Sequence, residues 1–68
     1  MMDNIYVAKI YDENGDCWVY EGELKGRSIW TEKNNFHSKP KFLNEIEAID
    51  IARQEVKEGQ RYEIVRMF

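Results

Sequence analysis

The chain contains few of the residues from which small catalytic, metal-binding or disulfide-linked proteins are built. It has one cysteine and one histidine, so an internal disulfide, a zinc-ligand set and a CxxC redox pair are all excluded. Its four glycines stand apart from one another, which excludes a glycine-rich phosphate loop. From these absences we predict a protein that is not an enzyme and that carries no cofactor and no metal ion.

Long apolar runs are missing as well. No stretch approaches the ~20 consecutive apolar residues of a membrane-spanning helix, so we expect no membrane partner. The first four residues, Met-Met-Asp-Asn, carry neither a basic flank nor an apolar signal region, and with the single cysteine this predicts a cytoplasmic protein. The 68 residues leave room for a single domain, residues 1–68, with a small core.

Charge is distributed unevenly along the chain, although the net charge is only −3. Residues 1–24 carry six acidic side chains and one basic one, whereas residues 25–41 carry five basic side chains and one acidic one. A basic segment within an acidic chain indicates a surface that recognises charge. Its partner is expected to be a nucleic acid or an acidic protein surface, including the acidic hairpin of a second copy in a homodimer.

The segment from Leu43 to Gly59 has the clearest secondary-structure pattern and predicts an amphipathic helix. Asn44 is a suitable N-cap, because its side-chain oxygen can accept a backbone N–H of the first turn. Apolar residues recur at three- and four-residue steps and form one stripe, which consists of Ile46, Ala48, Ile49, Ala52 and Val56. Ile51 lies outside this stripe. Gly59 is predicted to be the left-handed C-terminal cap.

Two segments rich in aromatic and β-branched residues, 4–12 and 17–24, flank the turn sequence Glu13-Asn14-Gly15 and predict a β-hairpin. A three-residue loop with Gly15 in a bulge pairs Ile10 with Trp18 and separates apolar from charged side chains better than a two-residue turn does. This register predicts the face that the helix covers: Tyr6, Ala8, Ile10, Trp18, Tyr20 and Leu24.

The remaining chain predicts a third strand at 27–31, an exposed loop at 32–41 and a last strand at 60–67. The fold class is therefore α+β, a single small domain with the order β-β-β-α-β. We expect an antiparallel meander with the amphipathic helix packed on one face. The last strand is expected at a sheet edge, beside the first strand and parallel to it.

The face of the sheet opposite the helix predicts a protein interface. Four apolar side chains cluster on this outer face with two carboxylates at the rim, and such patches often mark interaction sites: Ile5, Val7, Tyr11, Val19, Glu21 and Glu23. The function predicted first is that of a small non-enzymatic protein-binding module that masks or bridges a larger protein. Stand-alone acidic domains of this size are familiar among phage and mobile-element accessory proteins, including inhibitors of host defence, and we expect the chain to belong to this class.

The alternative function is nucleic-acid binding through the basic segment. Lysine and arginine side chains suit phosphates, and interleaved aromatic rings suit stacked bases. The residues predicted for this role are Lys25, Arg27, Trp30, Lys33, His37, Lys39 and Lys41. The sequence leaves open whether Trp30 and Phe36 belong to this surface or to the core.

The order of elements, with an acidic hairpin turn and Glu47-Ala48 opening the helix, resembles HicB-type antitoxins, which implies a domain that blocks a toxin ribonuclease. The Pro-Asp-containing segment and the DNA-binding tail of those proteins have no counterpart in this sequence. The first three strands and the helix are also similar to the arm-binding domains of phage-type integrases, which implies a sheet that contacts DNA. Both resemblances concern topology, and topology does not determine function.

Overall fold

The computed structural model describes residues 3–33 and 39–68. Its elements, in chain order, are β1 (Tyr6–Tyr11), β2 (Cys17–Leu24), β3 (Arg27–Glu32), α1 (Glu45–Glu55) and β4 (Arg61–Arg66). The strands form one antiparallel sheet in the order β3-β2-β1-β4, and α1 lies over β1 and β4. The predicted α+β fold is confirmed. Within the two described ranges, no helix has the length and apolar character needed to cross a membrane.

The β1–β2 hairpin has the predicted register. Ile10 lies opposite Trp18, and Gly15 has a φ of +86° at the end of the turn. The Asp12 carboxylate accepts the backbone N–H of Asn14 at 2.9 Å, which fixes the turn from within. Turn chemistry and hydrophobic alternation therefore suffice to predict this part of the sheet.

The β2–β3 ladder contains a β-bulge that the sequence analysis did not anticipate. Tyr20 lies opposite Trp30, whereas Gly22 lies opposite Ile29, so Glu21 is the extra residue on β2. Gly22 has a φ of +129°, a conformation that other residues rarely adopt. The glycine thus permits the bulge, and the bulge shifts the alternation of side chains by one residue.

This shift overturns two predicted orientations. Glu21 stays on the outer face, but Glu23 moves to the helix side of the sheet, so the two carboxylates do not share a face. Leu24 moves in the opposite sense and is 62% exposed, although we predicted it on the helix-covered face. A single inserted residue exchanges the two faces for every position after it.

β4 lies beside β1 as predicted, but it runs antiparallel to β1, not parallel. The chain returns across the sheet before the helix begins. The Lys41 N–H donates to the Tyr20 carbonyl at 2.9 Å, and Leu43 exchanges two backbone hydrogen bonds with Tyr6 at 2.8 and 2.9 Å. The helix therefore starts at the end of the sheet where β1 begins, runs back, and delivers β4 in the antiparallel direction.

Residues 41–43 also close a gap in the sheet. The β1–β2 ladder extends only to the pair Lys9–Val19, and beyond it the two strands are bridged by the backbone of this segment. The Leu43 side chain is 3% exposed and belongs to the main core cluster with Ala8 and Tyr20. A segment predicted partly as exposed loop is thus part of the sheet and of the core.

The helix begins as predicted, since the Asn44 side chain accepts the Glu47 N–H at 2.9 Å. Its buried face is rotated from the predicted stripe. Ala48 and Ala52 are fully buried and Ile51 packs against the same cluster, whereas Ile46 is 54% exposed. Alanines at the contact allow the helix axis to approach the sheet closely, which favours this face over one with larger side chains.

The helix ends earlier than predicted. Val56 has an extended backbone, and its N–H donates to the Ala52 carbonyl at 2.9 Å as the last helical hydrogen bond. Gly59, with a φ of +86°, lies in a separate turn in which the Gln60 N–H donates to the Lys57 carbonyl at 2.9 Å. The glycine marks a turn after the helix and is not its C-terminal cap.

Candidate functional site

The centre of the outer face, where β1 and β2 pair, is buried in the monomer. Val7 is 1% exposed and Val19 is 4% exposed, and with Cys17 they form a second buried cluster. These two valines therefore cannot be the exposed contact residues that the alternation predicted. The connection after β3 is fixed to β2 at both of its described ends, where the Lys33 N–H donates to the Cys17 carbonyl at 2.8 Å and the Lys39 N–H donates to Glu21 at 2.6 Å.

Tyr11 and Ile5, the other two apolar residues of the predicted interface, contact β4 and the residue that follows it. The guanidinium of Arg61 lies 4.3 Å from the centroid of the Tyr11 ring, on the face that a partner would need. Ile5 is half-buried, and its carbonyl accepts the Met67 N–H at 2.8 Å. Tyr11 also packs against the buried cluster of Val7, Cys17 and Val19, and both Tyr11 and Ile5 are half-buried.

Glu21 anchors the connection after β3. Its carboxylate accepts the backbone N–H of Lys39 and the hydroxyl of Thr31. These two donors, the backbone N–H first, lower the pKa of Glu21 below its ordinary value of 4.5. The residue predicted at the rim of an interface thus has an internal structural role.

We expect Glu21→Gln to lower the free energy of unfolding near neutral pH, because a neutral amide accepts these hydrogen bonds less strongly than a carboxylate does. A lowered folded-state pKa stabilises the fold above the unfolded pKa, and this contribution is lost as the pH falls through the folded pKa. The difference between the two proteins should therefore shrink below about pH 4.5 in urea unfolding curves. Thr31→Val should lower the free energy of unfolding by less than Glu21→Gln does, because it removes only one of the two donors. Parallel pH profiles for wild type and Glu21→Gln would contradict the structural role of the Glu21 carboxylate.

The helix side of β2 and β3 is open. Because α1 lies over β1 and β4, a cleft of about 480 Å³ remains between the end of the helix and the far half of the sheet. We call it the tryptophan cleft, because both tryptophans of the chain line it. Its described lining residues are Ile10, Asp12, Trp18, Ser28, Trp30, Glu55, Lys57 and Gln60.

The walls of the tryptophan cleft are held in place by the fold. The Trp30 ring packs against Tyr20 with centroids 5.3 Å apart and an angle of 58° between the planes. On the opposite wall, the Gln60 side chain accepts the Lys57 N–H at 2.9 Å. The Trp30 Nε1–H is buried and has no acceptor among the described residues.

The tryptophan cleft is acidic. Asp12 and Glu55 line it against one ammonium group, that of Lys57. The register places two further carboxylates on the same side of the sheet, with Glu23 opposite Ser28 and Glu32 opposite Trp18. Of these four carboxylates, Glu23 lies on this side because of the bulge.

The hydroxyl of Tyr20 reports the same negative potential. Burial raises its pKa above the ordinary value of 10.0, and the charges of Glu23, Glu55 and Glu47 raise it further. Carboxylates from β2 and from the helix therefore both raise the pKa of this core residue beside the cleft.

The predicted nucleic-acid residues do not form one surface. Lys25 and Arg27 lie at the β2–β3 turn, and Lys39 and Lys41 lie beside the end of β2, where the Lys41 side chain packs over Gly22. Lys33 lies at the opposite end of β3, and Trp30 points to the helix side. His37 and Phe36 lie outside the described residues.

The sequence analysis missed the tryptophan cleft, although its cause is geometric. Four strands spaced ~4.8 Å apart make a sheet wider than the ~10 Å diameter of one helix. A chain with a single helix must leave about two strands uncovered on that side. The signal was the placement of Trp18 on the helix side, a large aromatic side chain on a strand that the helix could not reach.

Neither metal chemistry nor a known relative assigns a function to these surfaces. Within residues 3–33 and 39–68, no group of three or more histidine, cysteine, aspartate or glutamate side chains is arranged to hold a metal ion. Comparisons with known protein families, curated proteins and solved structures find no match to this chain.

Proposed function

We propose that this chain is a small non-enzymatic protein-binding module that masks or bridges a larger protein, and that it holds a segment of this partner in the tryptophan cleft. The observation that carries the proposal is the presence of Trp18 and Trp30 in an open cleft of about 480 Å³. Large aromatic side chains are enriched at protein interfaces and among the residues that dominate binding energy. The cleft also has the volume of typical ligand sites, ~300–1,000 Å³.

The position of β3 supports this function. In the described sheet β3 is an edge strand, so the tryptophan cleft borders an edge along which an extended segment can lie. The Ser28 side chain lines the cleft on this strand, whereas Ile29, the next residue, points to the outer face and is 37% exposed. Substitutions at these two neighbouring residues therefore test the two faces of the sheet separately.

The test is affinity capture from the cells that encode the chain, using wild type, Ser28→Arg and Ile29→Arg as matched baits. The same large side chain is introduced at adjacent positions of one strand, but only Ser28→Arg fills the tryptophan cleft. We expect one or more proteins to be captured by wild type and by Ile29→Arg, and to be reduced at least about tenfold with Ser28→Arg, since the loss of a central hot-spot contact costs about 2 kcal/mol or more and about 1.4 kcal/mol corresponds to tenfold. Mass spectrometry of the eluates measures this ratio.

Two results would contradict the proposal. Equal capture by Ser28→Arg and wild type would exclude the tryptophan cleft as the contact surface. Capture that disappears after nuclease treatment would show that nucleic acid, not protein, is the bound partner. Circular dichroism of both variants verifies that each remains folded.

A second candidate function, nucleic-acid binding, is favoured by a different observation. Four of the seven predicted basic and aromatic residues lie along β2 and at the turn that follows it, with Lys25 and Arg27 at the turn and Lys39 and Lys41 bonded through their backbones to Glu21 and Tyr20. Clustered lysine and arginine side chains attract phosphates, although the net charge of −3 opposes a general attraction. A bait with Lys39→Glu and Lys41→Glu should lose nuclease-sensitive partners and retain those that depend on Ser28.

A further inference from the structure

We propose that the tryptophan cleft selects a cationic side chain of the partner, with arginine preferred over lysine. The inference rests on the proposed function and adds the chemistry of the segment that is bound. It combines two features of the described cleft, its two indole rings and its excess of carboxylates.

The charge of the tryptophan cleft favours a cation. Asp12 and Glu55 line it, and the register adds Glu23 and Glu32 on the same side of the sheet, against the single ammonium of Lys57. A segment with a carboxylate at this position would meet like charges, which is costly at an interface. A cationic segment is attracted at long range and accepted at short range.

The position of Lys57 does not reverse this preference. It follows the helix, where its backbone N–H is held by Gln60. Its charge is opposed at the helix end by Glu55, which lines the same wall. Burial, and after it the charges of Glu23, Glu55 and Glu47, raise the pKa of the Tyr20 hydroxyl, so three carboxylates act on this side of the sheet.

The indole rings explain why arginine is preferred. Cations bind over the faces of aromatic rings, tryptophan being the strongest acceptor, and a planar guanidinium also stacks on such a ring. The chain makes this contact internally on its other face, where the guanidinium of Arg61 lies 4.3 Å from the centroid of Tyr11. An ammonium lacks the planar stacking component and is more strongly hydrated.

Tryptophan fluorescence provides a selective measurement, because the only two tryptophans of the chain both line the cleft. The probes are four blocked peptides without aromatic residues, identical except for a central arginine, lysine, citrulline or glutamate. Citrulline keeps the planar shape of arginine but carries no charge. We expect a saturable change with the arginine peptide, and binding about tenfold weaker or more with citrulline, from the loss of the cation–π and ionic contacts together.

Two glutamate variants separate a specific contact from a general field. Glu55→Gln removes a carboxylate that lines the cleft, whereas Glu58→Gln removes an exposed carboxylate of the following turn that does not line it. We expect Glu55→Gln to weaken the arginine peptide about two- to fivefold, in the range of exposed ion pairs, and Glu58→Gln to change it little. Raised salt should also weaken the arginine peptide.

The inference is overturned if citrulline or lysine binds as tightly as arginine, if the glutamate peptide binds at least as well, or if the two glutamate variants behave alike. This outcome is distinguishable from failure of the proposed function. Capture that depends on Ser28 without arginine selectivity would leave the protein-binding function in place and remove the cationic ligand. Arginine selectivity without any Ser28-dependent protein would leave the cationic ligand in place and remove the protein-binding function.

Discussion

Leu43→Ala is expected to destabilise the protein by about 2–5 kcal/mol, the range for large-to-small substitutions in well-packed cores. Leu43 is 3% exposed and contacts the cluster that joins the sheet to the helix. Its backbone forms two hydrogen bonds with Tyr6 at the point where β1 and β2 no longer pair directly. A cavity there removes packing from the helix and from both strands at once.

The size of this effect matters because the domain is small. Natural domains unfold with ~5–15 kcal/mol, and a chain of this length is expected near the lower end. The loss of Leu43 side-chain contacts therefore removes a large fraction of the total stability. Urea unfolding followed by circular dichroism measures the difference at the transition midpoint.

Leu24→Ala is the matched control, since the same side chain is truncated at a position that is 62% exposed. We expect a change within about 0.5 kcal/mol, as for most surface substitutions. If the two variants lost similar stability, Leu43 would not be a core residue and the path of the chain across the sheet would be wrong.

Local rules predicted the elements of this fold well. Asn44 before an apolar periodic segment predicted the start of the helix, and Gly15 after Glu13-Asn14 predicted the hairpin and its register. In each case the deciding interactions lie within a few residues of one another. Capping and turn chemistry are local, so the sequence contains the information in readable form.

The features that the sequence analysis missed depend on contacts between distant segments. Gly22 in a strand is a recognised sign of a bulge, but the alternation was continued through it, and Glu23 and Leu24 were assigned to the wrong faces. The direction of β4 depends on where residues 41–43 pass, and this is decided by bonds to Tyr20 and Tyr6. No periodicity within the segment itself specifies those partners.

The binding site predicted from the sequence was wrong for the same reason, because its exposure depends on contacts between distant segments. The predicted interface assumed that the side of the sheet opposite the helix faces solvent, yet Val7 and Val19 are buried there. The open surface lies on the helix side, because one helix is narrower than four strands. Simple geometry indicates that such a surface exists, but its lining residues follow from the register and the bulge.

Cys17 makes the closure of the outer face directly measurable. It is the only cysteine, it is 8% exposed, and it belongs to the buried cluster with Val7 and Val19. A buried thiol reacts with an external reagent only when the surrounding structure opens, so its rate reports on local or global unfolding. An exposed outer face would instead leave the thiol open to reagent at all times.

The measurement is therefore the rate at which Ellman's reagent modifies Cys17 in the native protein and across a urea series. We expect the native thiol to react far more slowly than the thiol of the unfolded chain, with a rate that rises in step with unfolding. A native rate equal to the unfolded rate would show that the outer face is open. It would then return Val7 and Val19 to the surface and make the outer face a second candidate contact surface beside the tryptophan cleft.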